Sequence, residues 1–154
     1  QIYEGRTSYT MSQASIQNYF GELMTDFEGA CYGQYFLEFA DYYTRENADG
    51  SDFLKLAYQS LRALTVKSIP RRLVRCIYEI RLIVANGEFP GLPQGNFSET
   101  ALYAVEFIAG TPVEKLYTFT LKEEVLAELV QIAEKYRRDF LPGEFHTLEI
   151  LETL

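Results

Sequence analysis

Tyr78-Glu79-Ile80-Arg81-Leu82-Ile83-Val84-Ala85-Asn86-Gly87-Glu88-Phe89-Pro90-Gly91-Leu92 is the stretch on which the fold turns. It ends an apolar pattern that begins upstream. Leu73, Cys76, Ile77, Ile80, Ile83 and Val84 recur at intervals of three and four, the period of one helical face. Ser68-Ile69-Pro70 opens this helix, with proline in the first turn, where its missing N–H does no harm. Asn86-Gly87 stops it. Glu88 to Phe97 then carries a Pro-Gly and a Pro-Gln-Gly-Asn and reads as a loop.

Upstream, the spacing predicts a long first helix from near Gly21 to Arg45. Phe20, Met24, Phe27, Cys31 and Tyr35 form one apolar line, and Tyr32, Phe36, Phe39 and Tyr43 form a second. Two adjacent lines imply a helix wrapped on several sides and central to the fold. Gly29 and Gly33 lie one turn apart, and glycine costs a helix ~1 kcal/mol relative to alanine. Close approach of a neighbouring helix is the expected compensation. Asn47-Ala48-Asp49-Gly50 reads as a turn, with Ser51 as N-cap of a second helix carrying Phe53, Leu54, Leu56, Ala57, Leu61 and Leu64. Downstream, Ser98 caps a short helix with Leu102, Val105, Phe107 and Ile108, broken by Gly110-Thr111-Pro112. Val113 to Phe119 reads as a further turn. A last long helix starts at Leu121 with Val125, Leu126, Leu129, Val130, Ile132, Ala133, Tyr136 and Phe140 as its expected buried face, and Pro142-Gly143 ends it before an apolar-rich tail from Phe145 to Leu154. Residues 1–19 differ, with short β-prone pieces such as Ile2-Tyr3 and Ser8-Tyr9-Thr10-Met11. The expectation is an all-α bundle of about five to six helices behind a short extended amino-terminal segment.

Composition narrows the function. One domain is expected of 154 residues, and 47% apolar content with 12 Tyr and 11 Phe argues against disorder. A net charge of −8 opposes autonomous binding to nucleic-acid phosphates, whose affinity comes largely from cations. No apolar run approaches the ~20 residues of a membrane helix, and no signal-peptide pattern opens the chain. The expectation is a soluble, cytoplasmic protein. The chain begins with Gln1 and is expected to be a piece of a longer protein. Cys31 and Cys76 sit in helical apolar patterns as buried thiols. With His146 they cannot supply the four ligands of structural zinc, so no metal and no cofactor is expected.

Several segments, in order, resemble the carboxyl half of the bacterial recombination mediator RecO. Tyr78-Glu79-Ile80-Arg81-Leu82 followed by Gly87, Pro90 and Leu92 is similar to that family's aromatic-Glu-apolar-Arg-Leu helix and Gly-x-x-Pro-x-Leu loop. Tyr35-Phe36-Leu37-Glu38-Phe39-Ala40-Asp41 resembles its tyrosine-rich helix, and Ala133-Glu134-Lys135-Tyr136 to Phe145-His146-Thr147-Leu148 resembles its closing helix and tail. Met11 to Phe20 looks like the end of the family's amino-terminal OB-fold. The resemblance therefore divides the chain into 1–20, the end of that fold, and 21–154, a helical domain. It implies a DNA repair mediator that helps load recombinase onto single strands. The implied partners are a RecR-like protein and the acidic, aromatic-ended tail of single-stranded DNA-binding protein. DNA would be met mainly through an OB-fold preceding residue 1. Many family members carry a four-cysteine zinc knuckle after the loop; here Gly95 and Ser98 stand at those positions.

No catalytic arrangement emerges. His146 has no adjacent nucleophile, no phosphate-binding glycine loop occurs, and Glu123-Glu124 suits a helix start, where it complements the dipole. The chain is expected not to be an enzyme. Glu38 and Arg81 each lie in strongly apolar helix segments, where an unpaired charge is costly. They are expected to pair across the first and third helices, against the alternative that they snorkel to solvent. Lys67, Arg71, Arg72 and Arg75 form the main cationic run. A solvated helix start explains them; with Tyr78, they could instead dock an acidic partner tail. A competing function is an all-α small-molecule-binding or regulatory domain, with the aromatic first helix lining a pocket. A closed interior pocket would favour that function, and a filled bundle with a surface groove would favour docking.

Overall fold

The computed structural model describes residues 1–44 and 48–154. A hairpin of β1 (Ile2–Glu4) and β2 (Tyr9–Met11) precedes α1 (Gly21–Met24), α2 (Phe27–Tyr43), α3 (Ser51–Leu64), α4 (Arg71–Ala85), α5 (Glu99–Gly110), α6 (Glu123–Phe140) and α7 (His146–Thr153). A 3-10 turn, Val113–Lys115, joins α5 to α6. The all-α bundle with an extended amino-terminal segment is as expected. The described residues hold more helices than anticipated, because the first splits and the tail coils.

α4 organises the core. Leu73, Val74, Ile77, Tyr78, Ile80 and Leu82 are all 0% exposed, so apolar residues close around most of the helix and leave Arg72 at the surface. Each such side chain stabilises the fold by ~1.5–3 kcal/mol when fully buried. α2, α3, α5 and α6 pack around α4. The helix stops as the sequence dictates. Gly87 adopts a left-handed φ of 77°; its N–H donates to the Val84 carbonyl at 3.0 Å and that of Glu88 to Ile83 at 3.0 Å. These are the two bonds of a Schellman stop, and the open αL position favours glycine. Pro70 sits just outside the helix as its N-cap residue.

The first helix is not continuous. It breaks after Met24 because Asp26 is a better N-cap than a helix interior residue, and its Oδ1 accepts the Gly29 N–H at 3.0 Å. The apolar line drawn through Phe20 and Tyr35 therefore does not stay in one environment: Met24 is 83% exposed and Phe27 74%, whereas Tyr35, Phe36 and Phe39 are fully buried. α4, not the first helix, is the central element. The two glycines do meet close neighbours. A Cβ at Gly33 would stand 3.2 Å from Leu61 of α3, and one at Gly29 would stand 2.9 Å from the Arg71 guanidinium. The expected helix end at Arg45 and the first turn residue, Asn47, lie outside the described residues. Gly50, not Ser51, is the N-cap residue of α3.

Ser98 caps α5 by accepting the Ala101 N–H at 3.2 Å, as its position suggests. The preceding loop is fixed to α6: Tyr136 donates to the Gly91 carbonyl at 2.7 Å, and Phe89 meets the Tyr136 ring edge-on at 6.2 Å. Leu92, by contrast, is 44% exposed. The hairpin pairs Ile2 with Met11 and Glu4 with Tyr9, and all its residues are exposed. No helix among the described residues is long and apolar enough to cross a membrane.

Candidate functional site

Two helices present one face each to a shared cleft. α4 contributes Arg72, Arg75, Cys76 and Glu79, and α6 contributes Val130, Ala133, Glu134 and Arg137. Both sets have the spacing of a single helical stripe. Tyr32 of α2 and Glu152 of α7 complete the walls of a cleft of about 170 Å³.

Its floor is a buried carboxylate. Glu79 is 2% exposed. Its Oε1 accepts the Tyr35 hydroxyl at 2.6 Å and the Arg75 Nε–H at 2.9 Å. A buried charge is costly unless it is paired and hydrogen-bonded, and Glu79 is both. Arg75 also lies over the Tyr35 ring, 5.3 Å from its centroid. Burial works against the Arg75 charge, but the Glu79 carboxylate, its hydrogen bond and the Tyr35 and Tyr32 phenols together hold the arginine pKa above its ordinary value. Burial, reinforced by the Glu79 charge, pushes the Tyr35 phenol well up, so it remains a donor. Burial likewise pushes the Cys76 thiol up, which removes the thiolate needed for nucleophilic or metal chemistry.

Arg137 is the least satisfied member. Its Nε is 3.9 Å from Glu79 and its Nη2 is 3.5 Å from Glu152. The Nε is buried without a hydrogen-bond acceptor. Arg72 stands at the rim, half-exposed, 3.4 Å from Glu123. Three guanidiniums thus converge where a protein of net charge −8 leaves two of them loosely held.

The predicted cationic run does not stay together. Arg72 and Arg75 enter the cleft. Arg71 turns to α1–α2, where Asp26 receives it in a bidentate contact and Glu28 lies at 3.5 Å. Lys67 is exposed and borders a separate groove with Asp26, Glu28 and Arg71. Tyr78 cannot contact a partner: it is 0% exposed, and its hydroxyl donates to the Phe36 carbonyl at 2.6 Å. Its assignment to a docking surface is corrected, because α4 is surrounded on the Tyr78 side.

The expected Glu38–Arg81 pair is also corrected. Arg81 Nη1 instead donates to the carbonyls of Ile108, Ala109 and Thr111 at 3.0, 3.1 and 2.7 Å. Those are the open carbonyls at the end of α5, which attract a cation. Glu38 accepts the Thr147 hydroxyl of α7. Glu79, Arg137, Glu152 and Tyr32 were missed as site residues. The i,i+4 spacing of Arg75 and Glu79 was a visible signal; the arrival of Arg137 and Glu152 from remote helices was not. Tyr35, Phe36 and Phe39 of α2 fill the core instead of lining a chamber: Phe36 stacks on Tyr78 at 4.2 Å, and Tyr35 meets Phe39 edge-on at 4.9 Å.

The whole chain aligns with one kind of curated protein. DNA repair protein RecO of Acetivibrio thermocellus is 22% identical over 187 residues of alignment, covering 99% of this chain and 74% of the relative. The chain resembles RecO. The RecO of Clostridium perfringens strain SM101 is 23% identical over 162 residues, covering 85% of this chain and 72% of the relative. No protein-family model matches the chain. No solved structure is a significant match. The similarity to RecO spans the helices that build the cleft.

Proposed function

We propose that this chain is the helical, partner-docking domain of a RecO-like DNA repair and recombination mediator, without catalytic activity of its own. Residues 21–154 are that domain, and residues 1–20 close a preceding OB-fold through which DNA is mainly held. The α4/α6 cleft receives the acidic tail of single-stranded DNA-binding protein, and a RecR-like protein joins during recombinase loading in the cytoplasm.

One observation carries this reading: Arg72, Arg75 and Arg137 converge in a cleft on an otherwise acidic chain. Carboxylates are recognised best by guanidinium forks, and an acidic tail with an aromatic end needs an apolar seat beside them. Cys31 and Ile150, one residue before Tyr32 and two before Glu152, border an apolar groove with Phe27 and Ala30 that can take such a side chain. A filled aromatic core beside surface grooves supports docking over the small-molecule alternative.

The test is a fluorescence-anisotropy titration of a labelled acidic peptide ending in Pro-Phe, at low and moderate salt. Saturable binding that weakens with salt is expected. Arg72→Glu should weaken it by about tenfold, or ~1.4 kcal/mol, without unfolding the protein, since Arg72 is 55% exposed. Equal affinity in Arg72→Glu would overturn the assignment of the cleft.

A further inference from the structure

We infer that α7 occupies part of the docking cleft within the same molecule, so that an acidic partner must displace Glu152 from Arg137. This rests on the docking function proposed above and adds its regulation.

The segment that forms and flanks α7 has the chemistry of the expected ligand. From Glu144 to Leu154 it carries three glutamates, at 144, 149 and 152, and no lysine or arginine. Leu148 and Leu151 hold it by their apolar side, at 5% and 7% exposed, while Glu152 reaches the cleft wall. It is an acidic amphipathic helix whose Glu152 joins Glu79 and Glu134 in balancing the three arginines of the cleft, the arrangement an external acidic segment would compete with.

Glu152 is a poor match for what it covers. It lies 3.5 Å from Arg137 Nη2 and keeps a side chain 55% exposed. Arg137 Nε, buried beside it, has no acceptor at all. A carboxylate approaching in the plane of the guanidinium would bond Nε and Nη2 together, the fork geometry that arginine favours. The incoming group therefore gains one hydrogen bond that Glu152 does not make. Glu79 cannot supply it, because its Oε1 is taken by Tyr35 and Arg75 and stands 3.9 Å away. α7 lowers apparent affinity by holding the competent state below full population, and a ligand fitting Arg137 better than Glu152 shifts that balance.

The experiment compares the full chain with Glu152→Gln and, as a charge control, Glu149→Gln, using the labelled acidic peptide ending in Pro-Phe. Glu149 is exposed and points at His146, 3.6 Å away. Glu152→Gln should bind about fivefold tighter than the parent, and Glu149→Gln should match the parent. In parallel, peptide addition should speed hydrogen exchange at the Leu148 to Leu151 amides. If the parent binds but Glu152→Gln does not bind more tightly, or both glutamine variants tighten equally, α7 is no competitor and the docking function alone survives. If neither the parent nor Glu152→Gln binds, the docking function and this inference fall together.

Discussion

The Tyr35 hydroxyl donates to Glu79 at 2.6 Å, tying α2 to the one buried carboxylate among the described residues. Through Arg75 on α4 and Arg137 on α6, that carboxylate links three helices around the cleft. The same atoms thus hold the fold and set the charge of the site, which makes their separate contributions measurable.

Removing Glu79 strands two guanidiniums. Glu79→Ala should destabilise the protein by about 3–5 kcal/mol, the usual cost of deleting one partner of a buried pair. Tyr35→Phe should cost only about 1.5–3 kcal/mol, one hydrogen bond to a charged group. Urea unfolding of both single variants and the double variant checks this. Strict additivity would show that the two side chains act independently.

Asp26 gives the acid limb of stability. The Arg71 guanidinium, then the Gly29 N–H, hold its carboxyl below the usual value of 3.8. A depressed folded pKa means the unfolded chain binds the proton first as pH falls. Asp26 therefore stabilises the protein fully above its unfolded pKa and loses that contribution as pH drops through the folded one. Asp26→Asn should lower the urea midpoint at pH 7, and its gap from the parent should begin to narrow only as pH falls below 3.8. A constant gap across that range would count against the Asp26–Arg71 contact.

Arg81 serves α5, not Glu38. Arg81→Met should destabilise by about 1–3 kcal/mol, because three part-buried carbonyls lose their donor. Combining it with Glu38→Gln should give additive losses within about 0.5 kcal/mol. A coupling energy well beyond that, measured by chemical denaturation, would restore the direct pair.

Gly87→Ala isolates a backbone effect. A Cβ there meets nothing within 4 Å, so the penalty comes from φ alone, at 77°. About 1–2 kcal/mol should be lost, with no change in peptide affinity. Thermal unfolding and the anisotropy titration together test both parts.

Much of this was legible in the sequence because it is local. The apolar period of three and four fixed α3, α4, α5 and α6, since a helix buries whichever stripe its residues spell out. Ser98 as a cap and Gly87 as a stop followed from which side chains and φ values those ends require. The break at Asp26 was also written there, but the apolar line from Phe20 to Tyr35 running across it hid the signal.

What the sequence could not decide was which charges meet. Arg71, Arg72 and Arg75 look like one cluster in the chain, yet Arg71, the first residue of α4, is drawn to Asp26 at the start of α2 while Arg72 and Arg75 enter the cleft. Glu79 is separated from Tyr35 by 44 residues, and only the docking of α2 against α4 brings them to 2.6 Å. Local hydrogen bonds and periodicity depend on neighbours in the chain, so the sequence determined the helices. Pairing of buried charges depends on how those helices rotate against one another, so the tertiary structure alone determined the site.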